Sequence, residues 1–230
     1  ALRACLWLRS ASRVLLVLAR IGCASADELY EQTRAIPWQE HIGPDATIAV
    51  SAHGTNRELR NTQFSAMRVK DAICDELRAQ TGKRPEVSKH RPDVQINVTI
   101  HAKKATVAID LAGEPLHKRG YRQEGENVQA PLKEALAAGV LLMSPWARVV
   151  EGLKAGTLKP QDCVLVDPFC GGGTLVIEGA MMAADMAPGI LRDYWGFSGW
   201  RQFDPEVFAR LLAEADARLE AGLARMPRIV

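Results

Sequence analysis

Residues 164–180 read VLVDPFCGGGTLVIEGA, in which three consecutive glycines separate two apolar stretches. An acid, Asp167, stands where the first apolar stretch ends. A strand, a glycine turn and a helix in that order open a doubly wound α/β sheet. We therefore predict a strand over residues 163–166, a helix over residues 174–187 and a ligand-binding loop between them.

The residues around the glycines restrict the ligand. A phosphate-binding P-loop requires a lysine beside the glycines, and none is present. The dinucleotide pattern G-x-G-x-x-G requires a glycine at position 176, which is Val176. Asp167 followed by Gly171 and Gly173 suits a ligand with an ammonium and a carboxylate group, such as the methionine part of S-adenosylmethionine. The alternative is a tight turn that binds no ligand.

Period-two apolar patterns dominate the first half of the chain. Residues 94–100 and 107–111 alternate apolar and polar positions on either side of a Lys103–Lys104 turn, which predicts a β-hairpin. Residues 47–53 predict another strand, and residues 14–19 predict a buried strand. A helix that ends at Gly82 is predicted from one apolar stripe: Ala66, Val69, Ile73 and Leu77. Together these elements predict a small α+β domain ending near Gly113.

Two more helices are predicted in the second half. In the first, Pro131 suits the first turn, and apolar residues follow at spacings of four, four and three: Leu132, Leu136, Val140 and Met143. The second is an amphipathic helix near the end of the chain, with Asp204 as its N-cap. The final residues, RIV, resemble the start of a second strand of the sheet.

The composition, 47% hydrophobic and 24% charged residues, is typical of a globular protein. The apolar run over residues 14–19 is too short for a signal peptide or a membrane span. Five scattered cysteines without zinc-ligand spacing favour reduced thiols in a cytoplasmic protein, and we assign no metal site. The chain begins with Ala rather than Met, so we expect its natural start to lie upstream.

Charge is distributed unevenly. Residues 1–120 contain 18 Lys and Arg against 13 Asp and Glu, whereas the remainder contains 11 against 14. A basic first half suggests a polyanionic partner, although ordinary surface charge is the alternative. Ten basic residues are candidates for contacts with the phosphates of such a partner: Arg57, Arg60, Arg68, Lys70, Lys83, Arg84, Lys89, Arg91, Lys103 and Lys104.

The stretch DPFCGGGTLVIEGA resembles the D-P-[FM]-C-G-[SG]-G-T-x-x-I-E-A motif of amino-group methyltransferases. The stretches ASRVLL, AIPW, RNTQFSAMRVKDAI, LHKRGYR, APLKEALAAGVLL, MAPG and YWGFSGW resemble, in the same order, the bacterial 23S ribosomal RNA guanine-N2 methyltransferases that carry a THUMP domain. Each match alone is weak. Together they cover nearly the whole chain and are specific.

The resemblance implies an α+β THUMP domain with part of a preceding ferredoxin-like region over residues 1–113, which binds 23S ribosomal RNA. A linker over residues 114–126 and the start of a Rossmann-like methyltransferase domain over residues 127–230 follow. It implies S-adenosylmethionine as cofactor and residues 127–134 beside the cofactor pocket, with Glu178 and Pro131 as supporting residues. The implied cofactor-binding residues are Asp167, Phe169, Cys170, Gly171, Gly172, Gly173 and Thr174.

One motif of this class is missing. A [DNS]-P-P-[YFW] motif binds the amine to be methylated and stacks on the flipped-out base, but the chain contains no Pro-Pro dipeptide. Asp185 is the nearest acid for the cofactor ribose, and we reject it because no strand precedes it. We therefore expect no catalytic residue in this chain, a truncation at both of its ends, and no activity from it alone. The alternatives are a DNA adenine-N6 methyltransferase and a non-catalytic RNA-binding module.

Three aromatic residues follow the predicted cofactor region of the chain: Trp195, Phe197 and Trp200. Aromatic rings can stack on a base, but we favour a hydrophobic lid over the sheet for this group.

Overall fold

The computed structural model describes residues 1–122 and 131–230. The chain divides into two compact units. Unit 1 consists of Ala1, Arg13–Glu114 and Tyr194–Phe203, and unit 2 of Leu2–Ser12, Pro115–Asp193 and Asp204–Val230. The chain passes from unit 1 to unit 2 after Glu114, next to the predicted domain boundary. Two segments depart from the prediction: Leu2–Ser12 belongs to unit 2, and Tyr194–Phe203 belongs to unit 1. Of the predicted linker, residues 115–122 belong to unit 2, and residues 123–126 lie outside the described part.

Helices and strands follow one another along the whole described chain. The helices are α1 (Leu2–Trp7), α2 (Ala26–Arg34), α3 (Thr62–Thr81), α4 (Glu134–Met143), α5 (Trp146–Lys154), α6 (Thr174–Ala183) and α7 (Pro205–Leu223). The strands are β1 (Leu15–Gly22), β2 (Ile48–His53), β3 (Val94–His101), β4 (Lys104–Asp110), β5 (Val164–Leu165) and β6 (Arg228–Ile229).

Unit 1 is built on a four-stranded sheet with the order β1-β4-β3-β2. The predicted hairpin is confirmed as β3 and β4, and β2 lies parallel to β3. β1 forms as predicted, but the prediction that it is buried is wrong. Leu15 and Val17 are 40% and 47% exposed, because β1 is an edge strand with a single neighbour in the sheet.

The boundaries of α3 follow from its capping residues. The side chain of Asn61 accepts a hydrogen bond from the Phe64 amide (3.0 Å), which satisfies one free N–H group of the first turn. At the other end Gly82 has φ 74°, a left-handed conformation that glycine adopts without strain. The predicted helix is therefore confirmed, including its end at Gly82.

The Tyr194–Phe203 segment packs within unit 1. Its Trp195 and Phe197 rings are stacked 5.3 Å apart and buried, so neither is open to a base, and the predicted lid over the sheet of unit 2 is wrong. Tyr194 donates a hydrogen bond to the Pro92 carbonyl (2.7 Å), and Trp200 Nε1 donates to His41 Nδ1 (3.2 Å). The aromatic side chains of this segment, which the sequence suggested for base stacking, therefore belong to the core and edge of unit 1.

Gly196 is the tightest point of this segment. A Cβ placed on it would lie 2.4 Å from the Asp110 oxygen and 2.5 Å from the Gly113 nitrogen, both of which are backbone atoms. We expect Gly196→Ala to lower the free energy of unfolding of unit 1 by about 1–3 kcal/mol, the usual cost of overpacking. Urea denaturation measures this. Gly43→Ala is the control, since its Cβ would meet only Ala46 at 4.0 Å. Equal stabilities of the two variants would contradict the packing described.

Unit 2 places α4, α5 and α6 around one apolar cluster, formed by Leu141, Trp146, Val150, Met182 and Ala183. β5 and β6 pair in parallel, which confirms the predicted second strand at the end of the chain. α7 also forms as predicted, and Asp204 Oδ1 accepts hydrogen bonds from the Glu206 and Val207 amides. α6 ends at Ala183, four residues earlier than predicted, and Asp185 then has φ 54°.

The predictions for α4 need two corrections. Pro131 precedes the helix by three residues, since α4 begins at Glu134 with Lys133 as N-cap. The predicted apolar stripe faces outward: Leu136, Val140 and Met143 are 57%, 50% and 92% exposed. The buried residues of α4 are instead Glu134, Ala137, Ala138 and Leu141, because the small side chains allow close packing against α6.

No single helix in the described part of the chain is long and apolar enough to cross a membrane; α4 and α5 pass such a test only as a pair bent by 78°.

Candidate cofactor-binding site

The loop between β5 and α6 turns at two glycines with left-handed backbone conformations. Gly171 has φ 53° and Gly173 has φ 70°. A Cβ on Gly171 would meet nothing within 4 Å, so the backbone conformation and not crowding requires glycine there. Gly173 is also the N-cap of α6, and its carbonyl accepts the hydrogen bond of the Ile177 amide (2.9 Å). The glycines therefore let the chain pass from β5 into α6 within a short turn.

This turn leaves backbone N–H groups available. The amides of Gly171 and Gly172 donate no hydrogen bond within residues 1–122 and 131–230, and both residues are exposed. The first-turn amides of α6 also lack intrahelical acceptors, as in every α-helix. N–H groups at the positive end of a helix dipole bind carboxylate or phosphate groups. The loop can therefore hold the anionic end of a ligand.

Asp167 lies at the entrance to the loop, two residues after β5. Its Oδ1 accepts a hydrogen bond from the Phe169 amide (3.2 Å), and its own amide donates to the Val230 carbonyl (2.9 Å). Oδ2 has no hydrogen-bond partner among the described residues, so it can accept a charge-assisted hydrogen bond from a cationic group. A carboxylate beside free amides suits a zwitterionic ligand, since a phosphate would be repelled by Asp167.

Behind the loop, a buried ion pair holds α6. The side chains of Arg119 and Glu178 are 1% and 0% exposed. Arg119 Nε donates to Glu178 Oε1 (3.2 Å) and Nη2 to Oε2 (3.5 Å), while other N–H groups of Arg119 donate to the Leu116 and Arg9 carbonyls. A buried pair is stable only when its remaining donors are also satisfied. Arg119 meets that condition and fixes one face of α6.

A second arginine holds the first residue of α6. Arg122 Nη2 donates to Thr174 Oγ1 (2.6 Å) and to the Leu132 carbonyl (3.0 Å), and Nη1 lies 3.2 Å from Glu134 Oε1. Thr174 and Glu178 are one helical turn apart, so the two arginines of the RGYR stretch hold the same face of α6. Sequence reasoning missed this role of Arg119 and Arg122.

Two family models match the chain: the THUMP domain over residues 23–110 and the RMKL-like methyltransferase domain over residues 119–228. The chain therefore contains a THUMP domain followed by an RMKL-like methyltransferase domain. This confirms the predicted fold class, an α+β THUMP domain followed by part of a Rossmann-like α/β methyltransferase domain.

Curated relatives agree with the family. The ribosomal RNA large subunit methyltransferase K/L of Marinomonas sp. (strain MWYL1) is 48% identical over 216 residues, which cover 94% of this chain and 28% of the relative. The protein of the same name from Syntrophotalea carbinolica is 46% identical and covers 100% of this chain and 31% of the relative. The chain thus spans less than a third of the length of these relatives.

Solved structures share the fold of this family. An N6-adenine-specific DNA methylase from Listeria monocytogenes, so named by prediction, has a TM-score of 0.80 and 29% identity, covering 99% of this chain and 55% of the other. SMU.472 complexed with SAH has a TM-score of 0.75 and 29% identity, covering 94% of this chain and 53% of the other.

The candidate cofactor residues of the methyltransferase domain differ in their exposure to solvent. Phe169 is 93% exposed, and Cys170, Gly171 and Gly172 are exposed, whereas Thr174 is buried and accepts a hydrogen bond from Arg122. Pro131 is exposed. Residues 127–130 of the segment expected beside the cofactor pocket lie outside the described residues.

The carboxylate of Asp185 forms ion pairs with two cations of unit 2. Its Oδ1 accepts a hydrogen bond from Lys154 Nζ (2.5 Å), and its Oδ2 accepts one from Arg218 Nε (2.8 Å). These ion pairs agree with the expectation that Asp185 does not bind the ribose of a cofactor.

The ten candidate RNA-binding residues all lie in unit 1, the part that contains the THUMP match. Five of them form salt bridges with acidic residues: Arg68, Lys70, Lys83, Arg84 and Arg91. The other five form none within residues 1–122 and 131–230: Arg57, Arg60, Lys89, Lys103 and Lys104.

Proposed function

We propose that the intact protein carrying this chain transfers a methyl group from S-adenosylmethionine to a base of large-subunit (23S) ribosomal RNA, at the N2 amine of a guanine. The observation that carries the proposal is the 46–48% identity, over nearly the entire chain, to proteins named ribosomal RNA large subunit methyltransferase K/L. The glycine loop, whose donors and acceptors suit a zwitterion, supports the cofactor.

The loop fits the methionine end of that cofactor. Asp167 Oδ2 accepts a hydrogen bond from the ammonium, and the amides of Gly171, Gly172 and the first turn of α6 donate to the carboxylate. Phe169 and Cys170 lie on the exposed side of the same loop, where they border the bound molecule. The side chains of Thr174 and Glu178 support the loop through their hydrogen bonds with Arg122 and Arg119.

The cofactor supplies an electrophilic methyl group on a sulfonium centre. When bound, the cofactor would supply this methyl group to the exocyclic amine, whose proton would pass to water. This chain contributes residues that bind the cofactor, whereas the motif that binds the amine is not among its residues. We place the activity in the cytoplasm, consistent with five free cysteines.

Incorporation of labelled methyl groups tests the proposal. The intact protein, given labelled S-adenosylmethionine, is expected to label unmodified large-subunit ribosomal RNA and not DNA. Label in DNA would favour the adenine methyltransferase that the name of the Listeria structure suggests. Label in neither, with RNA binding retained, would favour a non-catalytic RNA-binding module.

A further inference from the structure

Two loops meet at one end of the sheet of unit 1. β2 ends at His53 and β3 ends at His101, and these two strands run in parallel, so residues that follow both lie at the same end. The loop after β2 contains Arg57 and Arg60. The turn between β3 and β4 contains Lys103, and β4 begins at Lys104. We call Arg57, Arg60, Lys103 and Lys104 the basic sheet end.

Asn56 ties the two loops together. Its Nδ2 donates hydrogen bonds to the Ala102 carbonyl (2.8 Å) and the Cys23 carbonyl (2.8 Å). Its Oδ1 accepts from the amides of Glu58 and Leu59 (3.0 and 2.7 Å), which fixes the turn that carries Arg57 and Arg60. Arg60 Nε also donates to the Arg57 carbonyl (2.8 Å). The basic sheet end therefore rests on an ordered backbone.

The charge of the basic sheet end is not neutralised by the rest of the unit. Its four residues are exposed and form no salt bridge in the part of the chain that the structure describes. The loops that carry these four residues contain one acid, Glu58, which is exposed. Four cations therefore stand against one acid in these loops. Elsewhere in unit 1, Arg68, Lys83 and Arg84 are each paired with an aspartate.

We propose that the basic sheet end binds the sugar–phosphate backbone of the RNA substrate. This inference rests on the proposed function, because it names the surface through which that RNA is held. Unpaired Lys and Arg on exposed loops release counterions when they neutralise phosphates. Contacts from charged side chains to phosphates position the RNA and do not select a sequence.

A quadruple variant tests the surface: Arg57→Ala, Arg60→Ala, Lys103→Ala and Lys104→Ala in the intact protein. The matched control removes four exposed cations that are not among the ten candidate residues: Arg78→Ala, Arg148→Ala, Lys159→Ala and Arg210→Ala. RNA affinity is measured at several salt concentrations with fluorescently labelled large-subunit RNA fragments. The control matters because both variants lose the same net charge, and circular dichroism verifies that both are folded.

The test variant is expected to bind RNA about ten- to hundredfold more weakly at low salt, with a salt dependence of log affinity less steep by about 3 to 4. The control is expected to stay within about threefold of the wild type. Equal losses of RNA affinity in the two variants would contradict RNA binding by the basic sheet end and leave the proposed function intact. The same holds if the test variant loses no affinity while the wild type binds and methylates RNA. A wild type that binds no RNA would overturn both.

Discussion

Replacement of Arg119 by methionine is expected to lower the free energy of unfolding of unit 2 by about 3–5 kcal/mol. Glu178 is completely buried, and both of its carboxylate oxygens face Arg119. Methionine fills a similar volume but donates no hydrogen bond, so the carboxylate would stay buried without a partner. The two carbonyls that Arg119 now binds would lose their donors as well.

Chemical denaturation of Arg119→Met, Glu178→Met and the double variant measures this as a cycle. The double variant is expected to be more stable than the sum of the single losses predicts, because it leaves no buried charge. Arg3→Met is the control, since Arg3 binds Glu214 with two hydrogen bonds of 2.6 Å but both side chains are largely exposed. Its effect should be much smaller. Strictly additive single losses would contradict the pairing described for Arg119 and Glu178.

Replacement of Asp167 by asparagine is expected to weaken S-adenosylmethionine binding about ten- to hundredfold, the size of one hydrogen bond to a charged group. Asparagine keeps the Oδ1 acceptor for the Phe169 amide, so the loop keeps its conformation. What it removes is the negative charge that faces the ammonium.

Calorimetry with the intact protein measures the affinity of the Asp167→Asn variant. Asp162→Asn is the control, because Asp162 is an exposed acid in the same unit that lies before β5. Equal affinities of the two variants would show that Asp167 does not contact the cofactor.

Local signals explain why some elements could be predicted from the sequence. Asn61 and Gly82 cap the two ends of α3, and the end at Gly82 was predicted. α2 was missed although Ser25 caps it by accepting from the Glu28 amide (3.0 Å), a pattern visible as S-x-x-E. The exposure of β1 could not be predicted, because it depends on the strand order and not on the strand's own residues.

Long-range contacts account for the remaining errors. Glu178 was predicted as a supporting residue, but its partner Arg119 lies 59 positions away and nothing local connects the two. The predicted apolar stripe of α4 has helical spacing, yet the buried face of the helix is the one with the smaller side chains. Tyr194–Phe203 follows the cofactor region in the sequence but packs in unit 1, because contacts with Pro92 and His41 hold it there.

Nucleoside analysis of the RNA product tests the central claim most directly. Unmodified large-subunit ribosomal RNA is incubated with S-adenosylmethionine and the intact protein, digested and analysed by mass spectrometry. We predict N2-methylguanosine with the wild type, and with Asp167→Asn the same product only at higher cofactor concentrations. N6-methyladenosine as the product, or no methylated nucleoside from the wild type, would contradict the account.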